Sequence, residues 1–226
     1  MNNFSSKKFK LSNDTDDLQN DKCHIWRLDL NINLSIKNGV QNNKYIYTYS
    51  NGDVYNGEFK SYNDEFKSYN NEFKSYNDEF NDMIKDGYGI YFYKNGSIYK
   101  GEWQHDKKHG TGTLNCNNGD IYEGEWYNDK KHGKCKYICS TGDIYEGEWD
   151  NGIKMNKGKY TYANGEIYDG YWEKNLRNGY GKYIYTNGNI YEGNWKDNMY
   201  NGYGKLIDKK KTILYQGLWI DDKKYI

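Results

Sequence analysis

The side chains of this chain that are capable of chemistry recur at a fixed interval. Lys85, Lys108, Lys131, Lys154 and Arg177 stand 23 residues apart, Tyr200 and Lys224 continue the series, and Lys107, Lys130 and Lys223 thicken it. Such a row has two readings. It would meet anionic lipid head groups, each cation near a membrane surface adding about 1 kcal/mol. Alternatively it would keep turns soluble and sheet edges unpaired. Asp82, Asp106 and Asp129 fall in the same short stretches and favour the second reading, a solvated edge. His109 and His132 sit in successive KKHG segments with His105 nearby. A metal needs three or four convergent ligands, and the pattern places no carboxylate or thiolate to complete a set, so no metal is expected.

The remaining chemistry is accounted for by repetition. Steps such as Gly110-Thr111-Gly112 resemble pieces of nucleotide loops, but they recur along the chain and do not open a helix. Ser and Thr lack periodic His and Asp partners, so no hydrolytic triad is supported. Cys23, Cys116, Cys135 and Cys139 form no paired CxxC units. Cys116 and Cys139 align with Tyr93, Tyr162 and Tyr185, where a thiol is a small apolar filler. A non-enzymatic protein without cofactor is expected.

Composition sets further bounds. Thirty-two basic residues balance 32 acidic ones, which argues against broad attraction to nucleic acid. No run is apolar enough to span a bilayer, and MNNFSSKKFK lacks a secretory apolar core, so a cytoplasmic protein is expected, its cysteines reduced. Mean hydropathy is -1.20, yet 27 Tyr, 7 Trp and 7 Phe can bury much surface through rings. The chain is therefore expected to fold mainly on Tyr and Trp.

The elements that must position the cations are read from the repeat. NGDVYNGEF (51–59), NGSIYKGEW (95–103), NGDIYEGEW (118–126), TGDIYEGEW (141–149), NGEIYDGYW (164–172) and NGNIYEGNW (187–195) are copies, and TILYQGLW (212–219) is a looser seventh. Their central tyrosines are Tyr55, Tyr99, Tyr122, Tyr145, Tyr168, Tyr191 and Tyr215, spaced by 44, four times 23, then 24. The 44 is 23 plus 21, because EFKSYND, EFKSYNN and EFKSYND run in tandem over 58–78. Asn, Asp and Ser are weak helix formers, so this insert is expected as an extruded loop rather than a helix.

Asn-Gly between alternating runs predicts a type I′ hairpin in each unit. A second turn follows each Trp, with Asp106, Asp129, Gly152, Asn175, Asn198 and Asp222 at a position suited to a left-handed conformation. Hairpin joined to hairpin gives an all-β, elongated, twisted antiparallel meander of about seven hairpins, on the order of 70 Å long. Alternation places Tyr122, Gly124 and Trp126 on one face and Ile121, Glu123 and Glu125 on the other. Bare glycines would let rings lie across the backbone. The opposite face carries Glu123, Glu125, Glu146 and Glu148 with Lys136, Lys159 and Lys182, expected as cross-strand charge pairs. Residues 1–24 are expected as a mobile tail. Residues 25–43 read as a degenerate capping repeat, because Leu28, Leu30, Ile32, Leu34 and Ile36 alternate with polar residues. The array is assigned to 44–226.

A 23-residue unit with Tyr-x-Gly-x-Trp, a turn, then Gly-x-Gly resembles the MORN (membrane occupation and recognition nexus) repeat. Tyr168, Gly170, Trp172, Gly179 and Gly181 carry it fully, as do Tyr191, Gly193, Trp195, Gly202 and Gly204. The cores Tyr99, Gly101, Trp103; Tyr122, Gly124, Trp126; and Tyr145, Gly147, Trp149 repeat it. Phe59 or Phe80 replaces the first Trp, and Cys135 and Asn156 each replace a Gly. The resemblance implies a scaffold or adaptor for protein partners in a cytoskeletal or membrane-associated assembly. Alternatives are a peripheral anionic-phospholipid (phosphoinositide) binding module and a regulatory piece associated with a phosphoinositide kinase. A large aromatic face also suggests a homodimer.

Overall fold

The computed structural model describes residues 44–61 and 83–225. The tail (1–24), the capping repeat (25–43) and most of the heptapeptide insert lie outside the described residues. Fifteen strands follow in order: β1 (Lys44–Thr48), β2 (Val54–Ser61), β3 (Met83–Phe92), β4 (Ile98–Gln104), β5 (Lys107–Asn115), β6 (Ile121–Tyr127), β7 (Lys130–Ile138), β8 (Ile144–Asp150), β9 (Ile153–Thr161), β10 (Ile167–Glu173), β11 (Leu176–Ile184), β12 (Ile190–Lys196), β13 (Met199–Ile207), β14 (Ile213–Ile220) and β15 (Lys223–Lys224). Each pairs antiparallel with its chain neighbours, so the sheet is one open meander. No helix occurs among the described residues.

The turns after Trp hold left-handed residues where the sequence expects them, Asp106, Asp129, Gly152, Asn175, Asn198 and Asp222, but the other kind of turn differs from expectation. The Asn-Gly turns are not type I′. Only the Gly has positive φ, as at Gly96 (90°), and Gly96 N–H bonds to Tyr93 O while Tyr93 N–H bonds to Ser97 O. This is a type I turn closed by a glycine bulge. Asn95 Oδ1 accepts from Ser97 N–H (2.9 Å), a bond that holds Asn outside the left-handed region. The two consecutive positive φ values fall instead in the turns after Trp: His105 and Asp106 (48°, 63°), Lys174 and Asn175 (50°, 68°), Asp197 and Asn198 (49°, 71°). Those are the type I′ turns, and Asp and Asn tolerate them without glycine.

The aromatic face is built as the alternation demands. Tyr168 is fully buried, its ring lying over Gly170 and Gly181, which face each other in the β10–β11 register. A Cβ on Gly170 would come within 2.5 Å of Gly181 Cα and 2.6 Å of the Tyr168 hydroxyl, so both positions must be bare. That hydroxyl donates to Tyr171 O (2.8 Å). Trp172 and Trp195 stand nearly perpendicular to the ring on either side, at 5.2 and 5.1 Å. Each indole Nε1 donates to a glycine carbonyl on the preceding strand, Trp172 on β10 to Gly158 on β9 and Trp195 on β12 to Gly181 on β11. Tyr55, Tyr99, Tyr145 and Tyr191 are likewise fully buried and likewise contact two aromatic rings edge-on. In the first unit Phe59, on β2, takes the Trp place against Tyr55 (4.9 Å, 82°).

One repeat departs. Cys135 occupies a bare-glycine position opposite Gly124. Tyr122 is only partly buried and lies flat on Tyr137 (4.5 Å, 19°), where other tyrosines meet indoles edge-on. Trp149 Nε1, which by homology of position would donate to residue 135 O, is buried without a partner. The buried aromatic core divides here into two clusters, one ending at Trp126 and the other beginning at Cys135.

On the other face one of the expected charge pairs forms, Lys136 lying 3.1 Å from Glu146, and a further pair joins Lys205 and Glu192 at 3.0 Å; among the described residues Lys159 and Lys182 have no carboxylate within 4.0 Å. Asn156, at φ 54°, fills a left-handed slot held by glycine in other units and donates to Glu148 Oε2.

Candidate functional site

The lysine row splits in two. Lys107, Lys130, Lys223 and Lys224 are exposed, as an edge requires. Lys85, Lys108, Lys131, Lys154 and Arg177 are not a solvated edge: Lys85 is buried, the others are partly buried, and all turn onto the aromatic face. The reason is register. A two-residue turn sets Lys108 opposite Trp103, Lys131 opposite Trp126, Lys154 opposite Trp149 and Arg177 opposite Trp172, hence on the same face as the indoles. Counting back from the turn in the sequence would have found this.

Each cation enters a cage of rings. Lys154 Nζ lies 4.4 Å from the Tyr160 ring centre, 4.6 Å from Tyr145 and 5.1 Å from Trp172. Lys131 Nζ lies 3.8 Å from Tyr122 and 4.3 Å from Trp149. The Arg177 guanidinium sits 4.4 Å from Trp195 and 5.4 Å from Tyr183. Cation–π attraction is worth about 0.5–2 kcal/mol per site, more where water is excluded. In the sixth unit Tyr200 takes the cation's place, stacked on Tyr191 (3.7 Å) with its hydroxyl on that of Tyr185. Lys224 Nζ lies 5.3 Å from Tyr215 at the last strand.

The turn residues provide a second layer. Asp106, Asp129, Asn175 and Asn198 each accept, through Oδ1, the backbone N–H of the caged cation 21 residues earlier: Lys85, Lys108, Lys154 and Arg177. Where the residue is Asp it is also the counter-ion. Lys85 Nζ is 3.0 Å from Asp106 and Lys108 Nζ 4.0 Å from Asp129. Gly152 has no side chain, and Asn175 and Asn198 cap without charge. Among the described residues no carboxylate lies within 4.0 Å of the Lys131, Lys154 or Arg177 head group. Burial accordingly pushes Lys131 below the ordinary lysine range. Burial, with the like charge of Lys131, brings Lys154 down to about 8.

This gives a pH signature. Between pH 8 and 10 the unfolded chain keeps a proton that folded Lys154 has released, so stability contributed by this group rises with pH across that window. Burial raises Tyr145, Tyr160 and Tyr168 above 10, so above pH 10 unfolded tyrosines ionise first and stability falls. Urea midpoints measured from pH 7.5 to 9.5 are expected to climb for the native chain and to lose most of that climb in Lys154→Gln.

His109 and His132 flank one ring, that of Tyr127, at 5.0 and 5.8 Å. His105 is exposed, and His132 Nδ1 is 3.4 Å from Asp150. Among the described residues no three His, Cys, Asp or Glu side chains converge as a metal would require.

No curated protein matches the chain significantly. Among solved structures, the SAS-4 (dCPAP) TCP domain of Drosophila melanogaster, in complex with a proline-rich motif of Ana2 (dSTIL), is 11% identical with TM-score 0.44, covering 77% of this chain and 84% of that one. The TCP10 domain of Danio rerio CPAP, bound to a peptide of STIL, is 11% identical with TM-score 0.34, covering 78% and 84%. A streptogramin B lyase is 12% identical with TM-score 0.21, covering 84% and 86%. The sequence profile of the MORN repeat matches six consecutive stretches, 81–98, 99–121, 122–144, 145–167, 168–190 and 191–212. Together with the Tyr-over-glycine hairpins, this coverage of more than half the chain places the protein in the MORN repeat family.

Proposed function

We propose that the chain is a non-catalytic scaffold or adaptor that holds polypeptide partners along its sheet, in a cytoplasmic assembly tied to the cytoskeleton or to a membrane surface. The observation that carries this is the serial site: one caged cation at every second strand, about 10 Å apart, repeated across an open surface instead of converging on one reaction centre. Serial sites suit an extended ligand. The drawing-in of Lys85, Lys108, Lys131, Lys154 and Arg177 leaves Lys107, Lys130, Lys223 and Lys224 as the cations best placed for anionic lipid. Self-association would use the exposed Tyr203, Ile213, Leu214 and Ile220 near the last strands.

Proximity labelling in the source cell, followed by direct binding of the recovered proteins to purified chain, tests the reading. Direct, saturable binding is expected. Flotation of the chain with anionic vesicles and absence of any directly binding protein would replace the scaffold with a lipid module. Sedimentation equilibrium at micromolar concentrations reads the self-association, for which a dimer is expected.

A further inference from the structure

Three consecutive repeats have lost the counter-ion that the first two supply internally. Lys85 and Lys108 carry their own aspartates, Asp106 and Asp129, whereas the corresponding residues for Lys131, Lys154 and Arg177 are Gly152, Asn175 and Asn198. The substitutions remove charge while two of the three retain the backbone cap. Stability alone would favour Asp here: the Arg177 guanidinium donates to Asn198 Oδ1 and O while Lys131 and Lys154 rest on rings, so each gives up hydration without gaining a neutralising charge. The nearest acids are already committed: Asp120, Asp143 and Glu166 accept the hydroxyls of Tyr137, Tyr160 and Tyr183.

We propose that the aromatic face over Lys131, Lys154 and Arg177 is a docking site for an extended acidic polypeptide segment, whose carboxylates take the place of the aspartates these repeats lack. This rests on the scaffold reading and names its partner's chemistry. The spacing fits: the cations lie two strands, about 10 Å, apart, and in an extended segment of polyproline II form, three residues per turn at about 3.1 Å each, every third side chain returns to the same side after about 9 Å. A segment with Asp or Glu at every third position, laid across the strands, would meet all three in turn. The cations are recessed among rings, Lys154 within reach of Tyr145, Tyr160 and Trp172. A thin chain with side chains reaches such a recess; a flat bilayer surface meets projecting groups first. The rings add apolar contact for the residues between the acids.

The probe is a labelled synthetic peptide of Gly and Ser with Glu at every third position, measured by fluorescence anisotropy on the full chain at low salt. Binding is expected, weakened at least tenfold for the isomer with its Glu residues contiguous and lost for the Gln version. Asn175→Asp with Asn198→Asp supplies the missing counter-ions from within, in the manner of Asp106 and Asp129, and is expected to reduce binding at least tenfold while circular dichroism and thermal midpoint are retained. Lys154→Gln should reduce it as well. Equal binding by the native chain and the double variant, or by the Glu and Gln peptides, overturns the proposal. So does stronger, equally variant-sensitive binding to phosphatidylcholine vesicles containing phosphatidylserine, which would assign the strip to a membrane. Proteins recovered by proximity labelling that bind the native chain and the double variant alike would leave the scaffold standing and remove this site.

Discussion

Gly158→Ala is expected to destabilise the array by about 3 kcal/mol and to force Tyr145 out of its place. The backbone at Gly158 is not in a left-handed conformation, so the penalty is one of packing. The new methyl would sit on the Tyr145 hydroxyl, with the ring carbons 2.7 Å away, and Gly147 and Gly158 face each other across β8 and β9. Neither backbone can recede, because both strands are paired on their other sides. Tyr145 must tilt away, losing its bond to Glu148 O, its edge contacts with Trp149 and Trp172, and full burial. Overpacking typically costs about 1–3 kcal/mol and a lost or orphaned buried hydrogen bond about another 1–3. In a stacked array each unit contacts only its neighbours, so the loss should concentrate in β8–β10. Urea unfolding with hydrogen exchange on the amides of 144–173 reads both magnitude and place. A loss under 1 kcal/mol with native exchange around Tyr145 would mean that the bare glycine is not what seats the ring.

Cys135→Gly is expected to act in the opposite sense, stabilising the array by about 1–2 kcal/mol. The natural chain already contains, at Cys135, the obstruction that Gly158→Ala would create. Its side chain fills the place of a ring tip, Tyr122 is turned onto Tyr137, and Trp149 Nε1 is buried without an acceptor. Removing the side chain lets Tyr122 lie over residues 124 and 135, donate to Glu125 O as Tyr145 does to Glu148 O, and stand between Trp126 and Trp149. Trp149 Nε1 then gains the carbonyl of residue 135, as Trp172 gains that of Gly158. A buried orphan donor satisfied contributes about 1–3 kcal/mol; the entropy of an added glycine removes about 0.5–1. Cys135→Ser keeps the obstruction and should not stabilise. Thermal and urea midpoints of the three proteins decide it, and a Cys135→Gly chain weaker than the native one would show that the thiol is better packed than its neighbours indicate.

The 23-residue period, the Tyr-x-Gly-x-Trp core and strict alternation placed Tyr168, Gly170 and Trp172 on one face and Glu146 and Lys136 on the other, because in a strand parity alone assigns the side. Asp106, Asn175 and Asn198 were legible as left-handed turn residues. The choice between the two turns was not. Asn-Gly suits a type I′ turn in isolation, but here the asparagine side chain caps its own turn and the glycine is spent on a bulge.

What the sequence determined by itself was periodicity, pairing and face, since these depend on residue type and counting along one chain. Tertiary structure decided what the cations touch. Lys131, Lys154 and Arg177 look like solvent-facing turn residues until the two-residue turn sets each opposite an indole, after which rings from two hairpins close around the charge. Whether such a charge has a partner depends on a residue 21 positions away, brought alongside only when the next hairpin stacks. Contacts between hairpins are set by the stacking of separate units, which is why the change from Asp129 to Gly152, Asn175 and Asn198 acquires meaning only in three dimensions.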